Sequence, residues 1–107
     1  MGSYRDYRHE FRRLKVEALM ARCRSLDTAR EPVARCHAAI DELLDTAFTT
    51  EDGQCERDLV DEARRLAETI AGQMARQPAL ATLLRDSFAA AVHYRTPFTT
   101  FYLPDLH

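Results

Sequence analysis

The side chains with chemical potential in this sequence are few and scattered. Cys23, Cys36 and Cys55 are the three cysteines, an odd set with wide spacing and no C-x-x-C pair. Neither a disulfide framework nor a zinc site is therefore written here, and free thiols fit a reducing, cytoplasmic compartment. Cys23 and Cys36 lie at equal distances from a turn near residues 29–30, so they could face each other across a helical hairpin. Adjacent Cys36 and His37 diverge by about 100° on a helix, which prevents them from readily sharing one ion. No E-x-x-H pair of the di-iron type occurs, and His9, His93 and His107 form no spacing set. Small buried cysteines, with no metal and no cofactor, are the expectation.

A histidine on a helical bundle could relay a phosphoryl group. That chemistry needs an exposed imidazole followed by a basic and a small residue. Here the run is His37-Ala38-Ala39-Ile40-Asp41, and the acid four residues on has the wrong sign for a phosphoimidazole. A partly buried, hydrogen-bonded histidine beside Val33, Ile40 and Leu44 is expected instead. The acid groups Asp41/Glu42/Asp45 and Asp58/Asp61/Glu62 read as solvated helical faces. Loops that cradle phosphate are excluded by a content of three Gly, and no nucleophile-elbow or P-loop motif is present. Nothing gathers an acid, a base and a pocket, so no enzyme is expected.

Two features point to binding. Arg5, Arg8, Arg12, Lys15 and Arg22 form a basic stripe along one helix, beside Tyr4, Tyr7 and Phe11. Such a stripe suits an anionic partner, nucleic acid or an acidic protein surface. It equally suits neutralisation by the acidic middle of the same chain. Residues 1–26 carry seven basic and three acidic groups, residues 27–62 three and eleven, and residues 63–107 five and three. The formal net charge of −2 conceals that segregation, and a pI near 6.1 is far from that of a dedicated nucleic-acid binder. The second feature is the tail. Tyr94, Phe98, Phe101 and Tyr102 are four of the nine aromatic residues. Leaving such side chains in water forgoes on the order of 1.5–3 kcal/mol each. Phe98, Phe101, Tyr102 and Leu103 are therefore expected to dock, either on their own bundle or on a partner.

The elements that position these residues are helical. There are 16 Ala and 12 Leu, few β-branched residues and no strict period-2 run before residue 96. The pattern predicts an all-α fold, an antiparallel four-helix bundle with helices over about 4–26, 28–48, 55–77 and 78–94 and a short extended aromatic tail over 96–107. In the first helix Tyr4, Tyr7, Phe11, Leu14, Ala18 and Ala21 line one face, and Val16, Leu19, Met20 and Cys23 make a second apolar strip. That helix is either central in the bundle or at a subunit interface. Thr28-Ala29-Arg30-Glu31 reads as a capping box opening the second helix, although Pro32 is tolerated only within the first turn, so the boundary could equally be Glu31. The third helix carries Leu59, Val60, Ala63, Leu66, Ala67, Ile70, Ala71 and Met74 on one arc. Pro78 opens the fourth, and Thr96-Pro97 stops it.

A chain of 107 residues is long enough for one helical domain with one core. No apolar run approaches the ~18 residues of a membrane span, and no signal segment is read at the N-terminus. The expected function is a small non-catalytic protein–protein interaction or regulatory module that forms a homodimer. The alternatives are a nucleic-acid-associated protein using the basic stripe, and a small metal-binding or catalytic bundle built on Cys23, Cys36 and His37.

Overall fold

The structure, a computed structural model, describes residues 4–103, with side chains from Arg8 onward except His9. Among these residues all regular structure is helical: α1 (Tyr4–Arg24), α2 (Val33–Thr49), α3 (Gly53–Gly72), α4 (Pro78–Tyr94) and a 3-10 turn, η1 (Phe98–Thr100). The four long helices form a bundle, with short connections between α2 and α3 and between α3 and α4. None of the described helices is long and apolar enough to cross a membrane.

Helix α3 is the hub and packs against α1, α2 and α4. Its apolar arc explains why: Leu59, Ala63, Leu66, Ala67, Ile70 and Ala71 are all buried. The small Ala63, Ala67 and Ala71 form a shallow row that lets a neighbour approach closely. Ile40, Leu43 and Leu44 of α2, Leu84 of α4 and Phe98 of η1 complete the fully buried centre. Each such side chain contributes roughly 1.5–3 kcal/mol of burial.

The helix ends differ from expectation for local reasons. Helix α4 runs over Pro78–Tyr94, as its proline signals predict. Helix α2 starts at Val33, five residues later than expected, with Pro32 as its N-cap and no side-chain cap. A residue before proline is pushed out of the α region, so Glu31 cannot belong to a helical turn that continues through Pro32. The capping box is consequently not formed. Asp27 organises the turn instead, accepting from the Ala29 N–H at 3.1 Å. Thr28 accepts from Gln73 Nε2 at 2.7 Å, and Glu31 pairs with Arg35.

Helix α3 begins at Gly53, where the Asp52 carboxylate accepts from Gln54 N–H (2.9 Å) and Cys55 N–H (3.2 Å). It ends at Gly72 rather than near residue 77. Gln73 N–H and Met74 N–H bond to the carbonyls of Ile70 and Ala71, three residues back, which tightens the end. Gln77, which precedes Pro78, lies outside the α region (φ −134°, ψ 65°), and Ala75 is exposed outside the helix. Helix α1 stops at Arg24, and the expected extended tail contains the turn η1.

Candidate interaction surface

Helix α1 meets the bundle with one strip. Val16, Leu19, Met20 and Cys23 are buried, whereas Phe11 and Leu14 are each 58% exposed, and Ala18 and Ala21 are exposed with them. The outer strip is thus the first of the two apolar faces, and the bundle takes the second. The reason is volume: where α1 crosses α3, the second strip offers Leu19 and Met20 and the first offers only alanines. Arg8 and residues 10–15 are all exposed, so this stretch of α1 stands clear of the core. The side chains of Tyr4, Arg5 and Tyr7 lie outside the described residues.

The basic stripe follows the flank of this helix. Arg8, Arg12, Lys15 and Arg22 are exposed. Arg12, Lys15 and Arg22 rim an open groove of about 660 Å³ between α1 and α2, floored by Val16 and Leu19. The opposite wall is acidic at Glu42 and Glu51. Arg22 donates to Glu42 across it at 2.7 Å, and Lys15 lies over the Phe11 ring, 5.0 Å from its centroid. Neutralisation by helix α2 therefore reaches Arg22.

The next arginine, Arg24, finds the acid that the sequence hides. Glu62 looks like part of a solvated face, yet it is 5% exposed. It accepts from Arg24 Nε at 2.6 Å and from Arg65 Nε at 2.5 Å. Two guanidinium groups compensate its desolvation, and this carboxylate pins α1 to α3.

The aromatic tail folds back on its own bundle. Phe98 is fully buried and Tyr102 nearly so, Phe101 is half-buried and Leu103 is exposed. The four-residue segment after Leu103 lies outside the described residues. The anchor is Asp41, expected to be solvated. Its Oδ1 accepts from the Phe98 N–H at 2.6 Å and from the Thr99 N–H at 3.3 Å, and its Oδ2 from Thr99 Oγ1 at 2.5 Å. The carboxylate acts as a cap for η1 supplied by another helix, satisfying amides that would otherwise be orphaned. One turn earlier, His37 meets Phe98 and Tyr102 edge-on, with centroids 5.4 and 5.0 Å away, while Phe98 and Tyr102 stack at 5.0 Å. Burial lowers the His37 pKa from its ordinary value, opposed by the Asp41 charge. The expectation of a hydrogen-bonded ring is not met at Nε2, which is buried without a partner.

At the start of the tail, Arg95 adopts the left-handed conformation (φ 55°) that ends α4. Its guanidinium donates to Glu56 at 2.5 Å and to the Phe48 carbonyl at 3.2 Å, and lies 4.8 Å from the Phe48 ring centroid. These contacts hold a non-glycine residue where glycine is the usual choice.

The thiols are placed for packing. Cys23 and Cys36 are buried and Cys55 is half-buried, and all three are free. Burial is the main cause that raises each thiol pKa, with Glu42, Glu31 and Asp52 adding to it at Cys23, Cys36 and Cys55 respectively. A raised pKa lowers the thiolate fraction that metal binding and nucleophilic attack require. Among the described residues no three His, Cys, Asp or Glu side chains converge on a possible metal position. A second groove, about 900 Å³, runs beside Cys36, His37, Met74, Leu80 and Tyr102, with Gln73 and Gln77 on its edge.

No protein-family profile matches the chain, and neither a curated protein nor a solved structure matches it significantly.

Proposed function

We propose that this protein is a small, non-catalytic helical module for protein–protein association that self-associates through α1 and works in the cytoplasm. One observation carries the reading. Phe11 and Leu14 are exposed on a helix whose outer strip continues through Ala18 and Ala21, while the same helix is fixed to the bundle by its opposite side. Exposed large apolar groups aligned on one face, rimmed by charge, mark association surfaces on soluble proteins. The tail, the other candidate docking element, already has Phe98 and Tyr102 in its own core. Free, poorly ionised thiols support the cytoplasmic placement.

Sedimentation equilibrium of the full chain tests this. A complex at tens of micromolar, converted to monomer in Phe11→Glu/Leu14→Glu with unchanged helical circular dichroism, is the expected result. A wild-type protein that stays monomeric at several hundred micromolar rejects self-association.

A further inference from the structure

We infer that two copies pair through a parallel, in-register two-stranded coiled coil between α1 and the same helix of the partner subunit, with Glu10 and Glu17 of each facing Lys15 and Arg22 of the other. This rests on the self-association reading above and specifies its partner, its direction and its register.

The seam is written in steps of three and four. Residues 4, 7, 11, 14, 18 and 21 of α1 are Tyr, Tyr, Phe, Leu, Ala and Ala, the a and d positions of a heptad pattern. Counting about 100° per residue places this seam opposite the strip Val16, Leu19, Met20 and Cys23 that faces the bundle. A helix entering along the seam meets no part of its host's core. Two bundles joined this way lie on opposite sides of the helix pair, related by a two-fold axis, so the contact closes at two copies. Ala18 and Ala21 lie at the end of α1 that is packed on the bundle, where small side chains permit close approach. The wider Phe11 and Leu14 lie where the helix stands clear.

Direction is set by the flanking charges. The e positions are Arg8, Lys15 and Arg22, all basic; of the g positions, Glu10 and Glu17 are acidic, and the last, Arg24, is held by Glu62 of its own bundle. In a parallel pair, each g residue meets the e residue five positions on in the other strand. That puts Glu10 against the partner's Lys15 and Glu17 against the partner's Arg22, twice each by symmetry. In an antiparallel pair, e faces e and g faces g, so cations meet cations and carboxylates meet carboxylates.

The bundle contributes a second observation. The e-side flank is the basic rim of the α1–α2 groove, where Arg12, Lys15 and Arg22 line one wall. The partner's Glu10 and Glu17 arrive at that rim. The contact of Arg22 with Glu42 engages one guanidinium nitrogen, Nη2. An arginine carries five N–H donors, so others stay open to a second carboxylate. Glu17 meets Arg13 only at 3.5 Å, between two exposed side chains.

Charge reversal and cross-linking together test the assignment. Glu10→Lys/Glu17→Lys and Lys15→Glu/Arg22→Glu each leave the seam intact. Each is expected to weaken the dimer about tenfold or more, with recovery when the two variants are mixed. For direction, Ala21→Cys in a Cys55→Ser background is oxidised with glutathione disulfide. Parallel register places the two introduced thiols side by side, and a covalent dimer forms in high yield. A disulfide needs Cα atoms within about 4.4–6.8 Å, which antiparallel pairing does not provide at this position. A protein that sediments as a dimer but forms no covalent dimer overturns the parallel register and leaves self-association standing. A dimer unaffected by either charge reversal likewise overturns the assignment of Glu10 and Glu17. A monomeric wild type overturns both readings.

Discussion

Replacing Asp41 with alanine removes the only carboxylate described at the start of η1, and its cost follows from three hydrogen bonds. The Phe98 N–H and Thr99 Oγ1 bonds, at 2.6 and 2.5 Å, are short and charge-assisted; the Thr99 N–H bond at 3.3 Å is weaker. Hydrogen bonds to a charged group contribute roughly 1.5–3 kcal/mol each, and Thr99 is exposed enough for water to replace part of its share. The net loss is about 2–4 kcal/mol, set mainly by the part-buried Phe98 amide, whose hydrogen bond to Asp41 is the shorter of the two backbone bonds. Its upper bound is the docking free energy of the strap, since the tail detaches once that is exceeded. For a chain of this size the corresponding fall in Tm is roughly 10–20 °C. Thermal unfolding by circular dichroism reads the total, and amide exchange at Phe98 and Thr99 shows whether the strap opens before the bundle. Asp41→Asn, which keeps one acceptor oxygen, is expected to lose about half as much. A Tm within 2 °C of wild type in Asp41→Ala, with exchange at Phe98 unchanged, refutes the anchoring role.

Three further outcomes are expected. Because burial lowers the folded-state pKa of His37 below its ordinary 6.5, the unfolded chain binds that proton first. The neutral ring's contribution is therefore complete above pH 6.5 and declines as pH falls from there toward the folded pKa. His37→Leu is expected to flatten that part of the stability–pH curve, and an unchanged slope between pH 6.5 and 5 counts against it. Asp52→Ala removes a true N-cap and is expected to cost about 1 kcal/mol in denaturant unfolding, whereas Thr28→Ala, outside any helix, costs less than about half of that. Equal losses would reinstate a capping role for Thr28. Glu62→Ala leaves Arg24 and Arg65 to water and unpins α1, costing about 1–3 kcal/mol by urea titration. A loss under about 0.3 kcal/mol contradicts the pinning role.

What the sequence reveals about this fold depends on how local the signal is. Helix α4 is legible because its proline start and its Thr96-Pro97 stop are both covalent constraints on the chain, although the last turn is closed by Arg95, one residue before that stop. The core arc of α3 is legible because its period is regular. The start of α2 is misread because two local signals conflict at Thr28 and Pro32, and the backbone constraint of proline prevails over the side-chain cap. For α1, both strips are visible in the sequence. Only the position of α3 decides which strip is buried. Asp41 and Glu62 are opaque for a different reason. Phe98 lies 57 residues from Asp41, and Arg24 lies 38 residues from Glu62, whose other partner, Arg65, is an ordinary i,i+3 neighbour, so each carries the local pattern of a solvated acid.

The distance from Asp41 to Phe98 also bears on the order in which the molecule forms. The contacts between α2 and α3, and between α3 and α4, join neighbours along the chain and close small loops. The strap instead closes a loop of 57 residues, with a correspondingly larger entropic cost before its reward. Closure is then a late event, following assembly of the helices. Substitutions at Asp41 should accelerate unfolding and leave the folding rate almost unchanged. During synthesis the same order is imposed by direction, since Phe98 leaves the ribosome after every helix of the bundle, and the core receives its cover last.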